Sequence, residues 1–158
     1  MKTMPPCLDT HQAKREQAQA LMQKMGMVFS TENRLFVISA QIYLVLAGLG
    51  LVVNGSFLSD GPSRPAFLHL FTLGFMLFMI YGLCAHMLPR FTGNPLPETR
   101  WSRLQMGLAH IGVLAYAIGF FADWMALALG GAVTAWLALL IFTVRIWPVL
   151  WSQQENPG

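Results

Sequence analysis

Three histidines lie inside apolar stretches of this sequence, where an ionisable side chain is costly and is therefore a candidate functional group. His69 and His86 lie near the two ends of one stretch, residues 65–90, and His110 lies in a later one. A neutral imidazole nitrogen is a common ligand for metals and for heme iron. On one helix, His69 and His86 would be about 25 Å apart and would point about 100° apart. They cannot bind the same metal ion or the same heme.

Helical spacing puts a set of large apolar side chains on the face that carries His69. They are Leu73, Met76, Ile80, Leu83 and Met87. With His69, Met76 and Ile80 could line a flat apolar cofactor such as heme. The structural alternative is a lipid-facing or packed stripe, which any membrane helix needs. The opposite face carries Gly74 and Gly82, which suit close packing on a neighbouring helix.

His110 and His86 also have two interpretations each. His110 could hydrogen-bond to a neighbouring helix, or it could be a cofactor ligand. His86 is either a residue at the end of its helix or a ligand of a second site. Cys84, His86 and Met87 together suggest a soft metal such as copper, but positions 84 and 86 diverge on a helix. Copper is therefore a weaker candidate, and the ten methionines are interpreted as apolar filler.

The composition indicates a protein whose solvent is not water. Of its 158 residues, 55% are hydrophobic and 11% are charged, whereas soluble domains usually carry about 25% charged residues. Four apolar runs each approach the ~20 residues that span a bilayer. They cover residues 35–53, 65–90, 104–124 and 125–147. The prediction is an all-α, integral membrane four-helix bundle.

The chain divides into three parts. Residues 1–33 form a polar segment, residues 34–151 form the transmembrane domain, and residues 152–158 form a C-terminal tail. Residues 11–29 predict either an amphipathic helix on the membrane surface or a loosely ordered tail.

Nine of the ten lysines and arginines fall on one side of the four-helix arrangement, and Arg64 falls on the other. This distribution predicts that both termini are cytoplasmic, in a bacterial-type inner membrane, with His69 toward the outer face. The topology accounts for the net charge of +3, so no nucleic acid is expected as a partner.

Part of the second run resembles helix 2 of the catalytic subunit of the heme–copper oxidase superfamily. The matching residues are 68–69, Gly74, 78–82 and 86–90, and the nearest variants are the nitric oxide reductase and C-type oxidase branches. In that family a histidine near the start of helix 2 ligates the low-spin heme b. The resemblance therefore implies that His69 is an axial ligand of heme b, and it places that ligand toward the outer face.

The chain departs from that family in size and in its metal ligands. Family members have about twelve helices, arranged as three arcs of four, whereas this sequence predicts four helices. The partner heme ligands and the histidines of the second metal are absent, so the chain is not by itself a complete terminal oxidase or nitric oxide reductase. Whether it catalyses a reaction stays open.

Length and resemblance together lead to a hypothesis of copies arranged around an axis normal to the membrane. Closed symmetry would place equivalent His69 residues at the same depth, so that two copies could hold one heme between them in a dimer or trimer. The expected role is electron transfer, or chemistry of oxygen or nitric oxide, with a redox protein or quinol as partner. The alternatives are a non-enzymatic accessory or assembly subunit and a membrane copper-handling protein.

Overall fold

The computed structural model describes residues 14–17, 30–54, 63–94, 96 and 100–151. Four long helices account for nearly all of them. They are α1 (Thr31–Asn54), α2 (Arg64–Thr92), α3 (Arg100–Phe121) and α4 (Met125–Trp151). No strand occurs in these ranges. The predicted all-α fold with four membrane-spanning helices is confirmed.

The N-terminal segment is a separate unit, which ends at Ser30. Its residues 14–17 are helical. The other residues of the predicted amphipathic helix, and the tail at 152–158, lie outside the described residues.

Each helix is long enough and apolar enough to cross a bilayer, with spans of 23, 29, 22 and 27 residues. The outward faces are apolar as well: Val45, Val52 and Val144 are 72%, 80% and 71% exposed. A surface of this kind is stable against hydrocarbon and not against water. The chain is therefore a multi-pass membrane protein.

Helix α2 is not a uniform α-helix. It is α-helical over Arg64–His69, π-helical over Leu70–Met76 and α-helical again over Leu77–Thr92. The π geometry shows in the backbone N–H of Leu77, which donates to the carbonyl of Thr72, five residues back. A π turn holds one more residue than an α turn, so residues before the segment are rotated relative to residues after it.

The two ends of α2 follow from its sequence. Pro65 lies in the first turn, where its missing N–H costs nothing. Gly93 terminates the helix with a φ of 73°, a left-handed conformation that glycine adopts without a steric penalty.

Glycines allow the closest helix contacts. A Cβ atom added to Gly112 would lie 2.5 Å from the backbone N of Ala135, and one added to Gly119 would lie 2.4 Å from that of Ala128. Helices α3 and α4 therefore touch through their backbones. On α2, Gly74 packs on the Tyr43 ring and Gly82 packs on Val37 of α1, as the predicted small-residue face requires.

Adjacent glycines on α4 provide a matched test of this packing. A Cβ at Gly131 would lie 2.4 Å from the backbone N of Tyr116, whereas a Cβ at Gly130 would have no atom within 4 Å. We expect Gly131→Ala to lower the free energy of unfolding by roughly 1–3 kcal/mol through overpacking. Gly130→Ala should be neutral or stabilising, because alanine favours helix. Thermal unfolding in detergent measures both, and equal effects would contradict the close α3–α4 contact.

Candidate functional site

His69 is held in one orientation by two contacts. Its Nδ1 lies 2.7 Å from the backbone carbonyl oxygen of Pro65, one turn earlier. Its ring packs on the ring of Tyr116 on α3, with centroids 4.3 Å apart. A carbonyl oxygen only accepts, so Nδ1 carries the proton and donates it. In the neutral ring, Nε2 then has a free lone pair, and it has no hydrogen bond to any described residue.

This is the arrangement that histidine ligands of metals usually have. The nitrogen that does not bind the metal donates to a carbonyl or carboxylate, which selects the tautomer and fixes the ring orientation. His69 is half-buried and lies directly before the π-helical segment. Such segments are frequent at functional sites.

Aromatic side chains surround this end of α2. Tyr116 also packs on Phe120, with centroids 4.9 Å apart. Phe67 meets the edge of Phe121 at 5.2 Å. The cluster joins α2 to α3 on the side of α2 where His69 contacts Tyr116.

Met76 and Ile80 lie on the surface, 48% and 46% exposed. With Leu83 and Met87, also exposed, they form a stripe along α2. The π-helical segment ends at Met76 and lies between His69 and the rest of this stripe. The π turns contain an additional residue, which rotates His69 relative to the residues after the segment. His69 therefore contacts α3 and does not lie on the predicted face with Ile80. A shared cofactor pocket of His69, Met76 and Ile80 stays a prediction.

His110 connects α3 to α1. Its Nδ1 lies 2.7 Å from the Tyr43 hydroxyl, and its Nε2 lies 3.2 Å from Ser39 Oγ. The edge of Phe78 packs on its ring at 4.8 Å. Both ring nitrogens are thus engaged, so binding a metal would break a hydrogen bond between helices. The arrangement favours the structural interpretation.

His86 is buried, at 8% exposed, two residues from the half-buried Cys84 on the same helix. No group of three or more His, Cys, Asp or Glu side chains that could hold a metal occurs within the described ranges. The three predicted ligands His69, His86 and His110 therefore do not form one metal-binding group in the part of the chain that the structure describes.

A polar pair that the sequence analysis missed links α3 and α4. Arg145 Nη1 donates to Gln105 Oε1 at 2.6 Å, and Gln105 is completely buried. Arg145 also has a favourable charge–charge interaction with Glu32 at the start of α1. The sequence signal for this pair was Gln105, a single glutamine inside the apolar run 104–124. A polar side chain in such a run indicates a polar partner on a neighbouring helix.

Four apolar spans and an oriented intramembrane histidine define an α-helical, multi-pass membrane protein with a candidate ligand site. The family model described as "NnrS protein" matches residues 21–154, so the chain belongs to the NnrS family. No curated protein and no solved structure matches. The comparisons thus identify the NnrS family and do not identify a heme–copper oxidase subunit.

The two hydrogen bonds of His110 allow a test of its role. We expect His110→Phe to lower the free energy of unfolding by roughly 1–3 kcal/mol, since Tyr43 and Ser39 lose their partner in an apolar environment. Any cofactor bound at His69 should remain. Thermal unfolding and an absorption spectrum of the purified variant measure both. Loss of a cofactor from a stably folded variant would assign His110 as a ligand.

The π-helical segment can be tested by deleting one residue. Deletion of Leu73 should restore an α-helical register and rotate His69 by about 100°, away from Tyr116. With the native cysteines replaced, a cysteine pair at positions 69 and 116 should cross-link in the full-length chain and not in the deletion variant.

A second cysteine pair, at positions 41 and 79, is the control. Gln41 Nε2 lies 3.7 Å from Met79 Sδ, beyond the π segment, so a thiol cross-linker that spans the length of these side chains should join this pair in both chains. Retention of the 69–116 cross-link after the deletion would contradict the proposed rotation.

Proposed function

We propose that this protein binds heme b through His69 and works in electron transfer or in oxygen or nitric oxide chemistry. The proposal rests on the orientation of His69. Its Nδ1 donates to the Pro65 carbonyl oxygen, and its Nε2 is therefore available to bind iron. Membership of the NnrS family supports a heme- or metal-related role in a membrane.

The residues around His69 suit an axial ligand. The Tyr116 ring, at 4.3 Å, limits rotation of the imidazole. The rings of Phe67, Phe120 and Phe121 would supply apolar surface beside a heme at this end of α2 and α3. Bound at His69, heme would supply one-electron redox chemistry.

The second axial ligand is proposed to come from another copy of the chain. His110 uses both ring nitrogens, and His86 lies about 25 Å from His69 along α2 at ~1.5 Å per residue. A symmetric neighbour would present its own His69 at the same depth. We retain the dimer or trimer predicted from the sequence.

Two axial histidines would suit electron transfer, whereas an open sixth position would allow oxygen or nitric oxide to bind. Electrons would come from a redox protein or a quinol. By the positive-inside rule, His69 would lie toward the outer face of an inner membrane, which would set the side from which a partner approaches.

An absorption spectrum of the purified complex, together with its mass, tests the proposal. We expect a Soret band, sharp α-bands on reduction, and a mass of more than one chain. His69→Ala should lose these bands. His86→Ala is the matched control on the same helix and should keep them.

A folded His69→Ala protein that keeps its low-spin spectrum would show that His69 is not the ligand. A colourless protein that contains copper would favour the copper-handling alternative. A colourless, metal-free protein would favour the accessory or assembly role.

A further inference from the structure

Two completely buried side chains carry polar atoms without a hydrogen-bond partner among the described residues. They are the hydroxyl of Tyr81 and Nε2 of Gln105. Leaving a buried donor or acceptor unpaired is costly, and more so where lipid surrounds the protein. Each group therefore requires a partner that the surrounding side chains do not supply.

The two groups lie at the same level of the bundle. The Tyr81 ring packs on Phe142 of α4, with centroids 4.8 Å apart. Arg145, one turn further along α4, donates to Gln105 Oε1 at 2.6 Å. Tyr81 on α2 and Gln105 on α3 thus both contact the turn of α4 that runs from Phe142 to Arg145.

The pairing of α2 with α3 agrees with this placement. These helices are antiparallel, and Phe78 packs on His110. Tyr81 follows Phe78 by about one turn of α2. In the antiparallel helix α3 the same depth is reached about one turn before His110, close to Gln105.

The orientation of the Gln105 amide also matters. Its oxygen is used by Arg145, so its NH2 group points to the other side of the amide and offers two donors. The Tyr81 hydroxyl can accept or donate. A small neutral molecule with both donor and acceptor capacity would satisfy both groups at once.

We infer that Tyr81 and Gln105 bind a buried water molecule between α2, α3 and α4. Water is the ligand chemistry that fits, because buried waters in proteins bridge polar groups that lack other partners. A cation is disfavoured by the neighbouring Arg145 and by the donor character of Gln105. The site is independent of the heme proposal.

The Gln105 side of the site lies toward the end of the bundle where α2 and α4 terminate and α3 begins. Ser102, 3% exposed, lies one turn from Gln105 toward that end of α3, and Arg145, which bonds to Gln105, is half-buried. Polar side chains thus occur between the site and the arginine-rich end of the bundle, which is the end that carries Arg90, Arg100 and Arg103.

The sign of a stability change tests the inference. If the Tyr81 hydroxyl is unpaired, Tyr81→Phe removes a cost and raises Tm. If the hydroxyl binds water, Tyr81→Phe removes a hydrogen bond and should lower Tm by roughly 2–4 °C. The shift in Tyr81→Phe/Gln105→Leu should be smaller than the two single shifts combined, because both residues bind the same molecule.

X-ray hydroxyl-radical labelling in H2(18)O tests the unmodified protein, and it does not depend on a variant folding. Bound water should label Tyr81 with 18O. Tyr43 is the matched control: it is 4% exposed, and its hydroxyl is bonded to His110.

Labelling of Tyr81 well above Tyr43, with a lowered Tm for Tyr81→Phe where that variant folds, is the expected result. Three results would overturn the inference. They are equal labelling of the two tyrosines, a raised Tm for Tyr81→Phe, and a Tyr81-dependent rise in Tm with added chloride or phosphate, which would indicate an anion. A direct Tyr81–Gln105 hydrogen bond would couple the variants without labelling Tyr81, and it would overturn the inference too.

Discussion

Backbone contact between α3 and α4 is the constraint on which much of this bundle depends. In lipid, apolar side chains gain little by leaving their surroundings for another helix, so helices associate through close packing and hydrogen bonds. Gly112, Gly119 and Gly131 bring the α3 and α4 backbones together. This contact sets the distance across which Arg145 reaches Gln105, and it positions Tyr116, whose backbone packs on Gly131, to support His69.

Polar side chains provide the second type of contact between helices, and these contacts occur at different depths along the bundle. Near the middle of the bundle, His110 joins α3 to Tyr43 and Ser39 of α1. Toward the arginine-rich end, Arg145 joins α4 to α3. Each pair satisfies groups that would otherwise be exposed to an apolar medium. His69 differs, because its contacts leave one ring nitrogen available.

The parts of the fold that depend on composition could be predicted from the sequence. Four apolar runs specified four helices, and Pro65 and Gly93 marked the ends of α2. Gly74 and Gly82 correctly predicted the face of α2 that packs closely. These features are local, since helix length, end signals and small residues act through their own neighbours.

The candidate site was harder to predict, because it depends on how helices pack. The face shared by His69 and Met76 assumed α-helical spacing, and a π turn is not encoded by the periodicity of apolar residues. The Arg145–Gln105 pair joins residues far apart in sequence, and its partner choice follows from the α3–α4 contact. His110 was assigned both a structural and a ligand role, and only its distances to Tyr43 and Ser39 favour one of them.

The π-helical segment also separates two packing directions within a single span. In a uniform α-helix, turning one residue to a new neighbour turns every other residue by the same angle. In α2, the residues after Met76 can stay in register with α1 while His69 takes its own direction toward α3. The parts of this helix before and after the π-helical segment can therefore be altered independently, one in the direction of His69 and the other in its packing on α1.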